Sequence, residues 1–226
     1  DTIGAGVGHA PILGRDRAFA EAQRFLAEAV PGSALFGVGG EGSGRRTFVE
    51  LVAEEAGRRG ARVLALTGDD DAFRRLVWSV RDLRSEGDDL LVDDPATASP
   101  LPETIRAVAR LLASRAEAEN RVTVLAAPAW WAVSPAAQES IFAVLDLVAA
   151  SGAPIVLVGA GLSGAGLRSR SRSVTLRPLS GAEIAAVASH ALGVAGIPPE
   201  LARRLLRASG GMPGPLSELV RALPGA

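Results

Sequence analysis

The residues with the clearest chemical potential form a glycine-rich segment that directly follows an apolar run at residues 34–38. A strand that runs into a glycine turn and then a helix can cradle a phosphate, because the first amides of the helix are unpaired and face the anion. Counting back from Gly44, the P-loop pattern G-x-x-x-x-G-K-[ST] begins at Gly39, so both of its glycines are present.

The two residues that carry the chemistry of this pattern are replaced. Arg45 stands where a lysine reaches the phosphates, and Arg46 stands where a hydroxyl binds magnesium. Arginine keeps the positive charge, but as a planar fork rather than a compact point charge. Thr47 lies one residue past the hydroxyl position, about 100° further round a helix, and should face elsewhere. Two interpretations stay open: a nucleotide pocket with altered chemistry, or a tight turn that needs glycine.

Composition excludes several classes of function. The 226 residues contain no cysteine, which excludes disulfides and thiolate metal sites, and the formal net charge of −1 gives no field that would steer the chain to nucleic acid or an anionic membrane. All 24 basic residues are arginine. His9 and His190 have no acidic or cysteine neighbour at ligand spacing, which argues against a metal site or a catalytic triad. No apolar run approaches the roughly 20 residues of a membrane span. With no initiator Met and no signal peptide, we expect a cytoplasmic piece of a longer chain.

Hydrophobic periodicity predicts an α/β core followed by helices alone. The predicted strands are residues 34–38, 62–66, 122–127, 154–158 and 173–176, separated by helices, and this alternation indicates a doubly wound parallel sheet. After residue 180 only helices are predicted, the first opened by a capping box between Ser180 and Glu183 and the last beginning near Leu216. We therefore predict a flexible N-terminus at 1–11, an α/β domain at 12–178 and a helical domain at 179–226.

Four segments, in this order, resemble the ATPase domain of the STAND branch of AAA-type P-loop proteins, and in particular that of large ATP-binding LuxR-family transcriptional regulators. They are an entry motif (12–15), the glycine loop (39–47), a Walker B region (122–135) and a lid segment (209–223). The resemblance implies a five-stranded parallel P-loop sheet of order 5-1-4-3-2 with a helical lid. It also implies that the nucleotide-binding positions are Arg15, Gly39, Gly40, Gly42, Ser43, Gly44, Arg45, Arg46, Thr47 and Pro213, with Pro213 as the adenine contact.

The departures from that family bear on the function. Its paired carboxylates fall on Ala126 and Ala127, or on Ala127 and Pro128 in the other register, and its later aspartate falls on Ser134. Hydrolysis needs a carboxylate to hold magnesium and another to orient water, and this strand has neither. A sensor residue is also missing, because Gly159, Ala160 and Gly161 follow the fourth strand. Leu90–Asp94 imitates a Walker B strand, but using it would leave 122–127 as a surplus strand. Trp130 and Trp131 are expected to pack at the sheet edge.

Three functions follow as hypotheses. The first is a degenerate nucleotide-binding, pseudo-ATPase regulatory module of a bacterial signal-responsive transcriptional regulator, with ATP or ADP bound weakly or not at all, no catalytic residue and no magnesium site. Its partners would be downstream regulatory or DNA-binding segments of a longer chain, a protein partner or a second copy, with no direct nucleic-acid or membrane contact. The second is a slow ATPase with Arg45 as phosphate clamp and Asp93 or Glu139 as carboxylate. The third is a protein-interaction domain whose closed, nucleotide-free cleft is filled by Arg45, Arg46 and other side chains. Arg168, Arg170 and Arg172 are expected to form a solvated loop, with a phosphate contact as the alternative.

Overall fold

The computed structural model describes residues 14–66, 71–81, 102–161 and 170–223. This part of the chain contains five strands and eight α-helices. They are α1 (Asp16–Glu28), β1 (Ala34–Val38), α2 (Arg45–Arg58), β2 (Arg62–Ala65), α3 (Ala72–Arg81), α4 (Pro102–Glu119), β3 (Thr123–Ala127), α5 (Pro135–Ser151), β4 (Ile155–Gly161), β5 (Ser171–Thr175), α6 (Gly181–Ala191), α7 (Pro199–Ser209) and α8 (Pro213–Arg221). The predictions for residues 1–13, for Leu90–Asp94, for Asp93 and for Arg168 lie outside the described residues.

The five strands form one parallel sheet in the order β2-β3-β4-β1-β5. This confirms the predicted α/β class and the strand order that the resemblance implied. Strands β1, β3 and β4 are buried along their whole length, as expected where helices cover both faces of a parallel sheet. Only Val174 of the edge strand β5 is buried.

β4 extends three residues further than predicted. It continues through Gly159 and Gly161, which lie opposite Phe36 and Val38 of β1. Small residues are required here because a Cβ on Gly159 would come within 2.7 Å of the Phe36 ring. The glycines suggested the end of the strand, but they continue β4, and at Gly159 the absence of a side chain leaves room for the Phe36 ring.

The described residues divide into two compact units. The larger unit holds 19–40, 45–66, 71–81, 102–161 and 170–175, and the smaller holds 14–18, 41–44 and 176–223. The predicted domain ranges stay predictions.

Aromatic side chains form part of the core of the larger unit. The ring centroid of Trp130 lies 5.8 Å from that of Phe36 and 5.5 Å from that of Phe142. Trp130 is only 5% exposed and packs within this cluster, and its predicted place at the sheet edge stays a prediction. A short 3-10 turn after β3 turns this side chain inward.

The smaller unit has its own helical core, formed by Leu179, Ile184, Ala188, Leu205, Leu216 and Val220. The predicted capping box is confirmed, with Ser180 N donating to Glu183 Oε2 at 2.6 Å and Glu183 N donating to Ser180 Oγ at 3.3 Å. Helix α8 begins at Pro213 rather than near Leu216. Proline fits the first helical position because no helical partner exists there for an amide hydrogen. None of the helices in the described ranges is long and apolar enough to cross a bilayer.

Candidate functional site

The glycine loop lies where the sequence predicts it, between the end of β1 at Val38 and the start of α2 at Arg45. Gly42 and Gly44 have φ angles of 72° and 84°. Residues with a Cβ rarely adopt this left-handed conformation, so the loop path itself requires glycine at these two positions. These two residues therefore adopt the conformation of the predicted glycine turn.

Arg15 is bound to the loop backbone within the smaller unit. Its Nη2 donates to Ser43 O at 2.9 Å, and its Nη1 donates to Arg177 O. Burial lowers the pKa of the Arg15 guanidinium, while the negative charge of Glu183 opposes that shift. The pKa of Glu183 is itself held below its ordinary value, first by the backbone amide of Ser180 and then by the Ser180 hydroxyl, with a smaller contribution from Arg15. Arg15, predicted on the adenine side, thus links the loop, through the carbonyl of Ser43, to the chain at Arg177.

The first turn of α8 closes on the same loop. Gly214 N donates to Gly42 O at 3.0 Å. A Cβ on Gly42 would come within 2.9 Å of Pro215 Cδ, and a Cβ on Gly44 within 3.9 Å of Pro213 Cγ. Pro213, the predicted adenine contact, therefore lies beside Gly44.

Ser43 is the buried polar residue of the loop. Only 1% of its surface is exposed, and its Oγ has no hydrogen-bond partner among the residues that the structure describes. A buried hydroxyl without a partner costs stability, so a polar group that met it would be favoured.

Arg45 makes two contacts within the larger unit. Its Nη1 donates to Gly161 O at 3.2 Å, and its guanidinium carbon lies 4.7 Å from the centroid of the Trp131 ring. That distance is within the range of a cation–π interaction. Sequence reasoning missed Trp131 and Gly161, and the one hint for Trp131 was a tryptophan following the strand of the Walker B region.

The remaining positions of the predicted site lie apart from these contacts. Arg46 pairs with Glu50 on the surface of α2, with 2.9 Å between Nε and Oε1, and Thr47 is exposed. Gly39 and Gly40, which follow β1 in the sequence, belong to the larger unit.

Strand β3, to which the resemblance assigned the Walker B motif, has no acidic side chain. Ala126 and Ala127 end β3 and are buried between β2 and β4. The Ser134 hydroxyl caps α5 by accepting from Ala137 N at 3.3 Å. Glu139 lies on the exposed face of α5. Within the described ranges, no three His, Cys, Asp or Glu side chains cluster as metal ligands would.

Comparison with solved structures finds a similar fold in the replication initiator DnaA. A DnaA structure bound to AMPPCP and single-stranded DNA has a TM-score of 0.58 and 14% identity, over 97% of this chain and 63% of that one. AMPPCP-bound DnaA from Aquifex aeolicus has a TM-score of 0.54 and 13% identity, over 98% and 64%.

This chain thus spans just under two thirds of those proteins, and at such identities the likeness shows the fold alone, an AAA+-like α/β fold with helical segments. No protein-family model and no curated protein sequence matches the chain. Membership of the LuxR or STAND groups stays a prediction.

Proposed function

We propose that this chain is a nucleotide-binding regulatory module that does not hydrolyse its ligand. One observation carries the proposal: the loop keeps the left-handed glycines Gly42 and Gly44, while the strand in the Walker B position ends in Ala126 and Ala127. A loop that binds an anion needs such glycines, whereas hydrolysis needs carboxylates at positions such as those of Ala126 and Ala127. DnaA, which shares the fold, is described as bound to AMPPCP, and this supports a nucleotide as the ligand class.

The module would act as a switch or scaffold in a larger bacterial transcriptional regulator located in the cytoplasm. In that role a bound nucleotide would change the helical segment 179–226, and downstream segments of the chain or a partner protein would read the change. The near-neutral net charge of −1 supports protein rather than nucleic-acid contacts for this piece.

Thermal unfolding tests nucleotide binding, with ATP and ADP as ligands and adenosine as the matched control without phosphates. A ligand at about 100 times its Kd stabilises the folded state by about 2.7 kcal/mol, or roughly 5–10 °C in Tm for a domain of this size. We expect ATP and ADP to raise the Tm and adenosine to leave it unchanged, because the loop binds the phosphates. Equal Tm shifts with ATP, ADP and adenosine would show that the phosphates are not what the chain recognises.

A turnover assay tests the absence of hydrolysis. We expect phosphate release from ATP with magnesium to remain at the level of buffer alone. The slow-ATPase alternative requires release above that level that disappears in Arg45→Ala and in either Asp93→Asn or Glu139→Gln, since one of these two residues would be its carboxylate.

A second candidate function is a protein-interaction module with a closed, nucleotide-free loop. The packing of α8 on the loop favours it, because Gly214 N donates to Gly42 O at 3.0 Å and the protein itself thus already contacts the loop. For this function we expect no absorbance at 260 nm from released nucleotide after denaturation, and no Tm change with nucleotide at millimolar concentration. A co-purified nucleotide would contradict it.

A further inference from the structure

The residues at the carboxyl end of the sheet do not fit a magnesium ion. Magnesium is held by oxygen ligands, usually one or two carboxylates together with substrate phosphates. Here Ala126 and Ala127 end β3, and Arg46 takes the position of the loop hydroxyl. The donor set that would hold a divalent cation is therefore missing at each of these positions.

A fixed organic cation lies at that end of the sheet instead. Arg45 donates to the carbonyl of Gly161, the last residue of β4, and stacks on Trp131, four residues beyond the end of β3. Ligands of open α/β sheets bind outside the carboxyl ends of the strands. The guanidinium thus lies at the end of the sheet where ligands of such folds bind.

The geometry leaves Arg45 able to bind an anion. The contact with Trp131 places the guanidinium carbon over the ring at 4.7 Å and uses no N–H group as a hydrogen-bond donor to an oxygen, and the bond to Gly161 uses one N–H at Nη1. The structure gives this side chain no other hydrogen bond to a described residue. The other N–H groups lie in the guanidinium plane, where they can form the paired bonds that arginine makes with phosphate. A lysine has no flat face to stack on the ring while it donates in this way.

Arg45 is the first residue of α2, and the first turn of this helix contains no acidic residue. The charge of the next residue, Arg46, is paired with Glu50. Cations at a helix N-terminus are unfavourable because the helix dipole is positive there. An anion bound beside Arg45 would relieve this repulsion.

We infer that Arg45 replaces the divalent metal ion of this site, so that the chain binds the phosphate chain of a nucleotide in its metal-free form. Trp131 is a positioning residue, because it touches the guanidinium rather than the phosphate. The inference rests on the proposed nucleotide binding and specifies the ionic form of the ligand.

The test measures the Kd of ADP and of ATP by calorimetric titration, once with EDTA and once with excess magnesium. We expect full affinity in EDTA and no gain from magnesium. Arg45→Ala should weaken binding roughly 10- to 100-fold in EDTA, as expected for the loss of a charge-assisted hydrogen bond. The affinity of Arg45→Lys in EDTA should lie between those of the unchanged chain and of Arg45→Ala, since lysine keeps the charge but lacks the planar guanidinium.

Trp131 supplies a second readout. Trp131→Ala should weaken binding in EDTA, while Trp131→Phe should retain most of the affinity because it preserves an aromatic face. Arg106→Ala is the charge-matched control, since Arg106 is exposed on α4 in the same unit. Thermal unfolding of each variant without ligand checks that it folds.

The outcomes separate this inference from the proposed function. Binding that appears only with magnesium would overturn the inference and leave nucleotide binding intact. Affinity that is unchanged in Arg45→Ala would also overturn it, because the cation would then lie elsewhere. Absence of binding under both conditions would overturn the inference and the proposed function together.

Discussion

The contact between Gly42 and Pro215 gives a quantitative test of how the glycine loop is held within the smaller unit. At Gly42, φ is 72°, and a Cβ built there would lie 2.9 Å from Pro215 Cδ and 3.6 Å from Met212 Cβ. The proline ring belongs to the first turn of α8, so it cannot move aside by a side-chain rotation. Gly42→Ala should therefore be destabilised both by its backbone conformation and by this clash.

The two contributions can be estimated separately. The left-handed conformation costs an alanine about 1–2 kcal/mol. Forcing a methyl group into occupied space adds about 1–3 kcal/mol, for a total loss of about 2–5 kcal/mol in the free energy of unfolding. Gly193 is the matched control in the same unit, because its φ is 67° and a Cβ there would meet no atom within 4 Å. Gly193→Ala should lose only the conformational part, about 1–2 kcal/mol.

Urea denaturation followed by circular dichroism measures both losses. Dichroism is needed because Trp78, Trp130 and Trp131 all lie in the larger unit, and their fluorescence would not report directly on the smaller one. A double-mutant cycle with Pro215→Ala isolates the clash, since removing the ring should reduce the cost of Gly42→Ala to that of Gly193→Ala. Equal losses for Gly42→Ala and Gly193→Ala, with no coupling to Pro215, would refute the packing of this loop on α8.

Two further predictions concern the larger unit. The pKa of Glu55 is held low chiefly by a hydrogen bond from Arg59, and also by Arg58 and Gln23, against the effect of burial. A carboxyl with a lower pKa in the folded state stabilises it above the ordinary glutamate pKa and loses that effect as the pH falls toward the folded value. The free energy of unfolding should therefore fall less steeply with decreasing pH in Glu55→Gln than in the unchanged chain, and an unchanged pH dependence would contradict this. Trp130→Ala should reduce the free energy of unfolding by about 3–5 kcal/mol, measured by denaturation, because it empties a buried aromatic cluster. A loss near zero would show that Trp130 is not packed as described.

The sheet could be predicted because its strands are local and strongly patterned. Residues 34–38 were predicted as the first strand with the bounds that the structure shows, and Thr123–Ala127 lies within the third predicted strand. Short apolar runs separated by amphipathic helices leave few ways to bury both faces of a parallel sheet. Element ends were less predictable. The last helix was predicted to begin near Leu216, but α8 begins at Pro213, since a proline is favourable at the first position of a helix although it disrupts a helix interior.

The order of residues was sufficient to predict the glycine loop and the replacement of the lysine and hydroxyl of the P-loop pattern by Arg45 and Arg46, because both depend on residue type at a known spacing. The expectation of carboxylates where Ala126 and Ala127 stand came from the family resemblance. The partners of Arg45 depended on the folded chain. Gly161 and Trp131 lie 116 and 86 positions away along the sequence, and only the parallel pairing of β1, β4 and β3 brings the ends of those strands together. A side chain as long as arginine can reach several such partners, and local sequence carries no information on which one the fold places within its reach.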